Sequence, residues 1–167
     1  MDLLVIRHAI AGDREEWART GRPDHERPIT DEGRERMREN ARALRRLVPA
    51  LDLLATSPFV RAVETAEVVA AAFDDIGITD APVLAHGRSP QEVGGWLAAR
   101  AEQHIAIVGH EPDLGQLVSW LVCGTVTAGI GLKKGGAALV RFAGTLERGS
   151  GELRWLAPPK LLRRMAR

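Results

Sequence analysis

Apolar residues recur along this chain in two rhythms. Short unbroken runs such as Leu3-Leu4-Val5-Ile6 and His104-Ile105-Ala106-Ile107-Val108 alternate with longer stretches whose apolar positions repeat every three or four residues. Short runs without polar alternation read as strands buried on both faces, and the longer period reads as amphipathic helix. The alternation is that of an α/β fold. Strands are expected at 2–6, 51–55, 83–85 and 104–108, with an antiparallel pair over 137–147 and 152–157 joined through Arg148-Gly149-Ser150-Gly151.

The helices carry their own punctuation. Thr30 is placed as an N-cap, with Asp31 and Glu32 in the first turn and Met37, Ala41, Leu44 and Val48 on one stripe. Ser57-Pro58 reads as N-cap and first residue of the next helix, whose stripe is Ala62, Ala66, Val69 and Phe73. Ser89-Pro90-Gln91-Glu92 has the form of a capping box, followed by Val93, Trp96, Leu97 and Ala101 as a buried face. Pro112 stands near the start of a helix that turns Leu114, Leu117, Val118 and Leu121 inward. Residues 11–29 show no period, and an irregular segment of that length inside a compact domain is usually functional or mobile. The Lys133-Lys134-Gly135-Gly136 segment reads as an exposed turn that could border a pocket. The basic tail from Pro158 either packs on the fold or docks a partner.

Composition narrows this picture only in places. A length of 167 residues suits one domain over the whole chain, 1–167. Charged residues make up 27% and nearly cancel, at net +1, so no nucleic-acid or membrane partner is implied. A single cysteine, Cys123, excludes an internal disulfide and a multi-cysteine zinc site, and its apolar neighbours suggest a buried thiol. No apolar run is long enough to span a bilayer, and Met1-Asp2-Leu3 lacks the basic flank of a signal peptide, so a cytoplasmic protein is expected.

The candidate chemistry lies at strand ends. In an open parallel sheet, ligands bind beyond the carboxyl ends of the strands. Arg7 and His8 close the first strand, Thr56 and Ser57 the second, and His110 the run 104–108. Arg61 falls in the first turn after the second strand, where a cation opposes the helix macrodipole at a cost of up to ~1 kcal/mol. An anion between guanidinium and helix start would offset that cost; a pair with Glu64 is the simpler alternative. Two arginines, two histidines and two helix starts suit a dianion such as phosphate. Two arginines with no carboxylate at these strand ends suit a divalent cation poorly. His25, His86 and His104 show no partner and read as surface or structural residues.

These residues fall in recognisable motifs. Arg7-His8-Ala9, "SPFVRAVETA" from Ser57, "VGHEP" from Val108 and "RPITDEGRERM" from Arg27 resemble the histidine phosphatase superfamily, whose name motif is Arg-His-Gly. Short length, Ala9 in place of the usual glycine and the "APPKLLRRMA" ending are most similar to its SixA-type phosphohistidine phosphatases. The resemblance implies a three-layer, phosphoglycerate-mutase-like α/β/α sandwich with a mostly parallel mixed sheet. It implies that His8 is a nucleophile that becomes phosphorylated while Arg7, Arg61 and His110 hold the phosphoryl oxygens, with no cofactor and no metal. Ser57 joins the substrate-binding groups, and the second nitrogen of His8 is expected to donate to a backbone carbonyl.

Larger members of that superfamily carry a carboxylic general acid in an insert that is short here. Glu92 is accounted for by its capping box; Glu111, Asp13 and Glu15 are the other candidates. A missing acid costs ~10²–10⁴ for alkoxide leaving groups and matters less for a phosphoramidate. The expected substrate is therefore phosphohistidine on a protein. A small-molecule phosphomonoesterase and a non-catalytic phosphoprotein-binding module are the alternatives.

Overall fold

Strand β1, Asp2–Arg7, is fully buried from Leu3 to Ile6. Successive side chains of a strand point to opposite faces, so such a strand needs cover on both sides. The computed structural model, which describes residues 1–127 and 129–166, supplies that cover. Strands β2 (Leu53–Thr56), β3 (Ile78–Asp80), β4 (His104–Gly109), β5 (Ala137–Arg141) and β6 (Glu152–Ala157) join β1 in one sheet, ordered β3-β2-β4-β1-β5-β6. The pairs β3/β2, β2/β4 and β4/β1 are parallel, whereas β5 pairs antiparallel with both β1 and β6.

Helices α2 (Asp31–Leu47), α3 (Val60–Ala72) and α6 (Pro159–Met165) cover the face that carries Leu4 and Ile6. Helices α4 (Pro90–Ala98) and α5 (Asp113–Cys123) cover the face with Leu3 and Val5. The result is the three-layer mixed-sheet sandwich expected above. A short outer helix, α1 (Arg14–Arg19), buries no residue of its own. No helix among the described residues is long and apolar enough to cross a membrane.

Most predicted stripes do face the core. Met37, Ala41, Leu44 and Val48 are buried on α2, and Ala62, Ala66, Val69 and Phe73 along and just beyond α3. The Thr30 hydroxyl accepts from Gly33 N at 2.9 Å, and a Cβ on Gly33 would collide with the Ile10 carbonyl oxygen. That close approach lets α2 sit directly against the segment leaving β1. The Ser89–Glu92 capping box forms as expected.

Several boundaries move, each for a local reason. The strand expected at 83–85 lies at Ile78–Asp80, and Pro82–Leu84 forms a 3₁₀ turn; Pro82 has no N–H for a ladder. Helix α3 starts at Val60 with Phe59 as cap, not at Ser57-Pro58. Ala101 lies past the end of α4 and is exposed, and Trp96 is only half-buried. Cys123 is exposed rather than buried; two residues beyond Leu121 it has rotated off the inward stripe of α5. The 11–29 segment is more ordered than its sequence suggests. It holds α1 and a 3₁₀ turn at Asp24–Glu26, and an Ala11–Ile29 bridge ties its ends together. The basic tail packs as α6, with Leu162 fully buried.

Candidate active site

The parallel ladder of β1 and β4 sets the centre of the site. Arg7 pairs with Gly109 in register, and His8 N donates to Gly109 O at 3.0 Å. Each strand therefore delivers a histidine to the same edge, and the His8 and His110 rings lie 5.2 Å apart between centroids. On the other side of β1, Gly135 N donates to His8 O at 3.0 Å and Arg7 N donates to Gly136 O at 3.1 Å. Gly135 has a φ of 75°, and Asn40 Nδ2 donates to its carbonyl at 2.9 Å. A side chain at that left-handed position would be strained and would press on Asn40. The two-lysine turn thus braces the strand that ends at His8, and Lys134 lines the cavity above it.

His8 is buried and its tautomer is defined by its contacts. Nδ1 lies 2.7 Å from Ala9 O. A carbonyl oxygen only accepts, so Nδ1 carries the hydrogen and Nε2 keeps its lone pair. Burial holds the imidazolium form down, and Arg61, Arg7 and Lys134 push the same way against the Ala9 carbonyl, so the pKa falls to about 3. Ala9 N in turn donates to Thr65 Oγ1 at 3.0 Å, and Thr65 donates to Arg61 O at 2.6 Å. This chain of bonds couples the His8 segment to α3.

His110 is held from below. Its Nε2 lies 2.8 Å from Ser57 Oγ, and Phe59 packs against its ring at 4.8 Å. Its Nδ1 is buried without a partner among the described residues. Burial, with His8, Arg61 and His86 acting in the same sense, also lowers this imidazole to about 3. Ser57 is completely buried and does not line the cavity. Its expected role as a substrate-binding group is therefore corrected: the hydroxyl closes β2, accepts from Phe59 N at 3.3 Å and fixes His110.

The two arginines approach from different elements. Arg7 Nη1 donates to Leu132 O at 2.7 Å, while its Nε is buried without a partner among the described residues. Arg61, the second residue of α3, is buried. Its Nη1 donates to Asp24 O at 2.8 Å and its Nη2 lies 3.1 Å from Asp24 Oδ2. The Glu64 alternative fails, because Glu64 accepts from Ile29 N and Arg34 instead. Asp24 thus offsets the unfavourable cation at the helix start.

Together these groups line a cavity of about 500 Å³ at the carboxyl edge of the sheet. Among the lining residues that sequence reasoning missed are Asp24, Arg27 and His86. Arg27 is buried, bonded to Asp24 Oδ1 at 3.0 Å and to Gly12 O at 2.7 Å. Asp24 joins Arg27 to Arg61. His86 is exposed, as a surface residue would be, but it pairs with Asp113 at 2.7 Å and lines the cavity. The 24–27 pair had a weak signal, an Asp and an Arg at helical spacing in "PDHER"; His86 had none. Of the other histidines, half-buried His104 pairs with Asp52, and exposed His25 packs near Phe59.

The carboxylates named as acids fare unevenly. Glu92 is committed to its capping box and lies outside the cavity. Glu15 is exposed on α1 and also outside it. Asp13 lines the cavity but caps α1, and its bonds from Glu16 N and Glu15 N hold its carboxyl below the usual range. Glu111 lines the cavity and burial pushes its carboxyl up, yet Oε1 accepts from Leu132 N at 2.9 Å. It steadies the residue whose carbonyl receives Arg7.

The buried histidines make acid stability a direct check. Both titrate near 3 when folded and near 6.5 when unfolded. The unfolded chain binds more protons between those values, so stability is complete above pH 6.5 and is lost as pH falls toward 3. The slope reaches about 1.4 kcal/mol per pH unit for each histidine. Urea midpoints should fall from pH 6.5 to 5, before most carboxylates titrate; constant midpoints would contradict burial of neutral imidazoles.

The sequence model of the histidine phosphatase superfamily (branch 1) matches residues 3–86, half of the chain. An uncharacterised protein of Picosynechococcus sp. (strain PCC 7002) is 34% identical over 143 residues, spanning 81% of this chain and 82% of that one. Among solved structures, the protein histidine phosphatase SixA complexed with tungstate superposes with a TM-score of 0.80 at 24% identity, covering 96% of this chain and 98% of that chain. Phosphoserine phosphatase from Entamoeba histolytica, in complex with 3-phosphoglyceric acid, gives 0.69 at 16% identity, with 96% and 98% covered. These two likenesses are likenesses of fold. The family match takes in the strand that ends in Arg7 and His8 and the helix that carries Arg61, and the chain belongs to the histidine phosphatase superfamily, branch 1.

Proposed function

We propose that the protein removes phosphate from phosphohistidine on a protein, in two steps through phospho-His8. By family it is a phosphohydrolase. The observation that carries the two-step reading is the tautomer of His8. Its Nδ1–H is spent on Ala9 O, so the nitrogen with the lone pair belongs to a ring lining a cationic cavity. Nε2 attacks phosphorus, and the bond to the leaving group breaks. Water then attacks phospho-His8 and the imidazole is restored.

Phosphoryl transfer passes through a loose transition state with charge spread over the equatorial oxygens. Arg7 and Arg61 are the donors for those oxygens, and the partnerless Nδ1 of His110 is a third. The Ser57 hydroxyl can give its proton to His110 Nε2, which leaves Nδ1 as an N–H donor. Neutrality of His8 serves the first step, because an imidazolium has no lone pair to attack with.

The choice of phosphohistidine rests on the leaving group. Each carboxylate lining the cavity accepts from a backbone N–H or an arginine, so none is poised to protonate an alkoxide. Imidazole is a far better leaving group than an alkoxide. The fold likeness to SixA, named as a protein histidine phosphatase, supports the same reading. A phosphohistidine-bearing protein should exceed an alkyl phosphate in kcat/KM by about 10²-fold or more. Equal turnover, or a preference for the ester, would favour the phosphomonoesterase alternative over this one.

A further inference from the structure

His86 stands apart from the other ionisable groups of the cavity. It lies on the turn after Pro82–Leu84, outside every helix and strand, and its side chain is 52% exposed. Its ring sits 6.3 Å from that of His110, edge to face, and it lines the same cavity as His8. Asp113, the first residue of α5, fixes it: Asp113 Oδ2 lies 2.7 Å from His86 Nδ1 and also accepts from Gly87 N at 3.0 Å. A carboxylate only accepts, so Nδ1 carries a hydrogen. Nε2 makes no hydrogen bond among the described residues, which leaves it to exchange protons at the cavity.

The other histidines and the carboxylates of the cavity are poor proton donors. His8 and His110 are neutral well below pH 7. Asp13 and Asp24 are held ionised, Asp13 by backbone N–H groups and Asp24 by Arg27 and Arg61 against the cost of its burial. Burial pushes the Glu111 carboxyl up, but its Oε1 accepts from Leu132 N and is turned to that backbone rather than to a leaving group. Imidazole is the side chain that both gives and takes a proton near neutral pH, and His86 is the cavity imidazole that neither attacks phosphorus nor holds its oxygens in the two-step reading. We infer that His86, oriented by Asp113, is the proton donor to the leaving group and the proton acceptor for the hydrolytic water.

The inference rests on the two-step reading through phospho-His8 and completes its proton balance; an imidazolium is a weaker acid than the carboxylic acid the cavity does not poise, so the preference for an imidazole leaving group over an alkoxide stands. In the first step the lone pair of His8 Nε2 forms the N–P bond. The bond from phosphorus to the leaving atom breaks with its electrons on that atom, which takes the Nε2 proton of His86 in its imidazolium form and leaves the Nδ1 hydrogen donated to Asp113. In the second step the water oxygen bonds to phosphorus, and the N–P electrons return to His8. The proton released by water goes to the now neutral His86, which regains its starting state. Asp113 is a positioning residue in both steps.

A series of leaving groups tests this. An aryl phosphate expels a stabilised phenolate and needs little help, whereas an alkyl phosphate needs the full proton. His86→Gln should lower kcat/KM for an alkyl phosphate by about 10²-fold more than for an aryl phosphate, and Asp113→Asn should show the same bias at smaller amplitude. Equal losses on both substrates, or no loss on either, would overturn the role of His86. Phosphate label on His8, trapped from the aryl substrate in wild type and in His86→Gln, separates the two readings. Label in both leaves the leaving-group ratio to decide on His86; no label in wild type overturns the phospho-His8 reading itself.

Discussion

Replacing His8 with alanine should reduce kcat/KM by at least about 10⁴-fold on every phosphorylated substrate and abolish acid-labile labelling of the chain. The size follows from the role proposed for it, since losing a covalent nucleophile removes the reaction path rather than tuning it. Nothing else in the cavity replaces it. His110, with Ser57 donating to Nε2, keeps a hydrogen and no lone pair on Nδ1, and His86 stands on an exposed turn with its ring 6.3 Å from that of His110 rather than at the end of β1. The substitution leaves the strand itself intact, because β1 is held by Leu3 to Ile6 and by backbone bonds on both sides. Binding of inorganic phosphate should therefore survive, as Arg7 and Arg61 remain. The variant should also lose part of the acid sensitivity, since one of the two buried imidazoles is gone. Activity within tenfold of wild type would rule out His8 as the nucleophile.

Arg61→Ala should cost about 10³-fold in kcat/KM. The guanidinium is buried at the second position of α3, and its Nε has no protein partner. It is a donor facing the site that neither Arg7 nor Lys134 can reproduce from the other side of β1. Lysine should not rescue it, because one ammonium cannot reach both the Asp24 carbonyl and its carboxylate while also addressing an anion. Steady-state kinetics with an aryl phosphate, alongside thermal unfolding, separates lost catalysis from lost folding. A loss under tenfold in a folded Arg61→Ala variant would remove this residue from the transition-state cradle.

The residues of these two predictions were legible in the sequence because strands and helix starts fix them. Once β1, β2 and β4 are read as parallel neighbours, Arg7, His8, Arg61 and His110 must share an edge. The helix stripes were legible for a related reason, since a 3.6-residue period survives any error of a residue or two at the ends. What escaped was everything set by a loop. Arg27, Asp24 and His86 reach the cavity from irregular segments, whose paths no periodicity encodes. Ser57 was placed at the right edge with the wrong duty, because burial under His110 depends on three elements meeting. Cys123 was misread because apolar neighbours in sequence are not neighbours around a helix.

The Asp24 carboxylate has a consequence for which ligands can compete here. It bonds Arg61 and Arg27 at once, 3.1 and 3.0 Å away. An incoming anion meets guanidinium groups that already hold a counter-charge of one. A carboxylate ligand would exchange like for like and gain little, after paying the cost of leaving water. A phosphoryl group brings two charges and three oxygens, and can engage Arg7 and Arg61 while Asp24 keeps Arg27. The resident carboxylate thus acts as a threshold, setting the least charge a visitor must carry before the cavity prefers it.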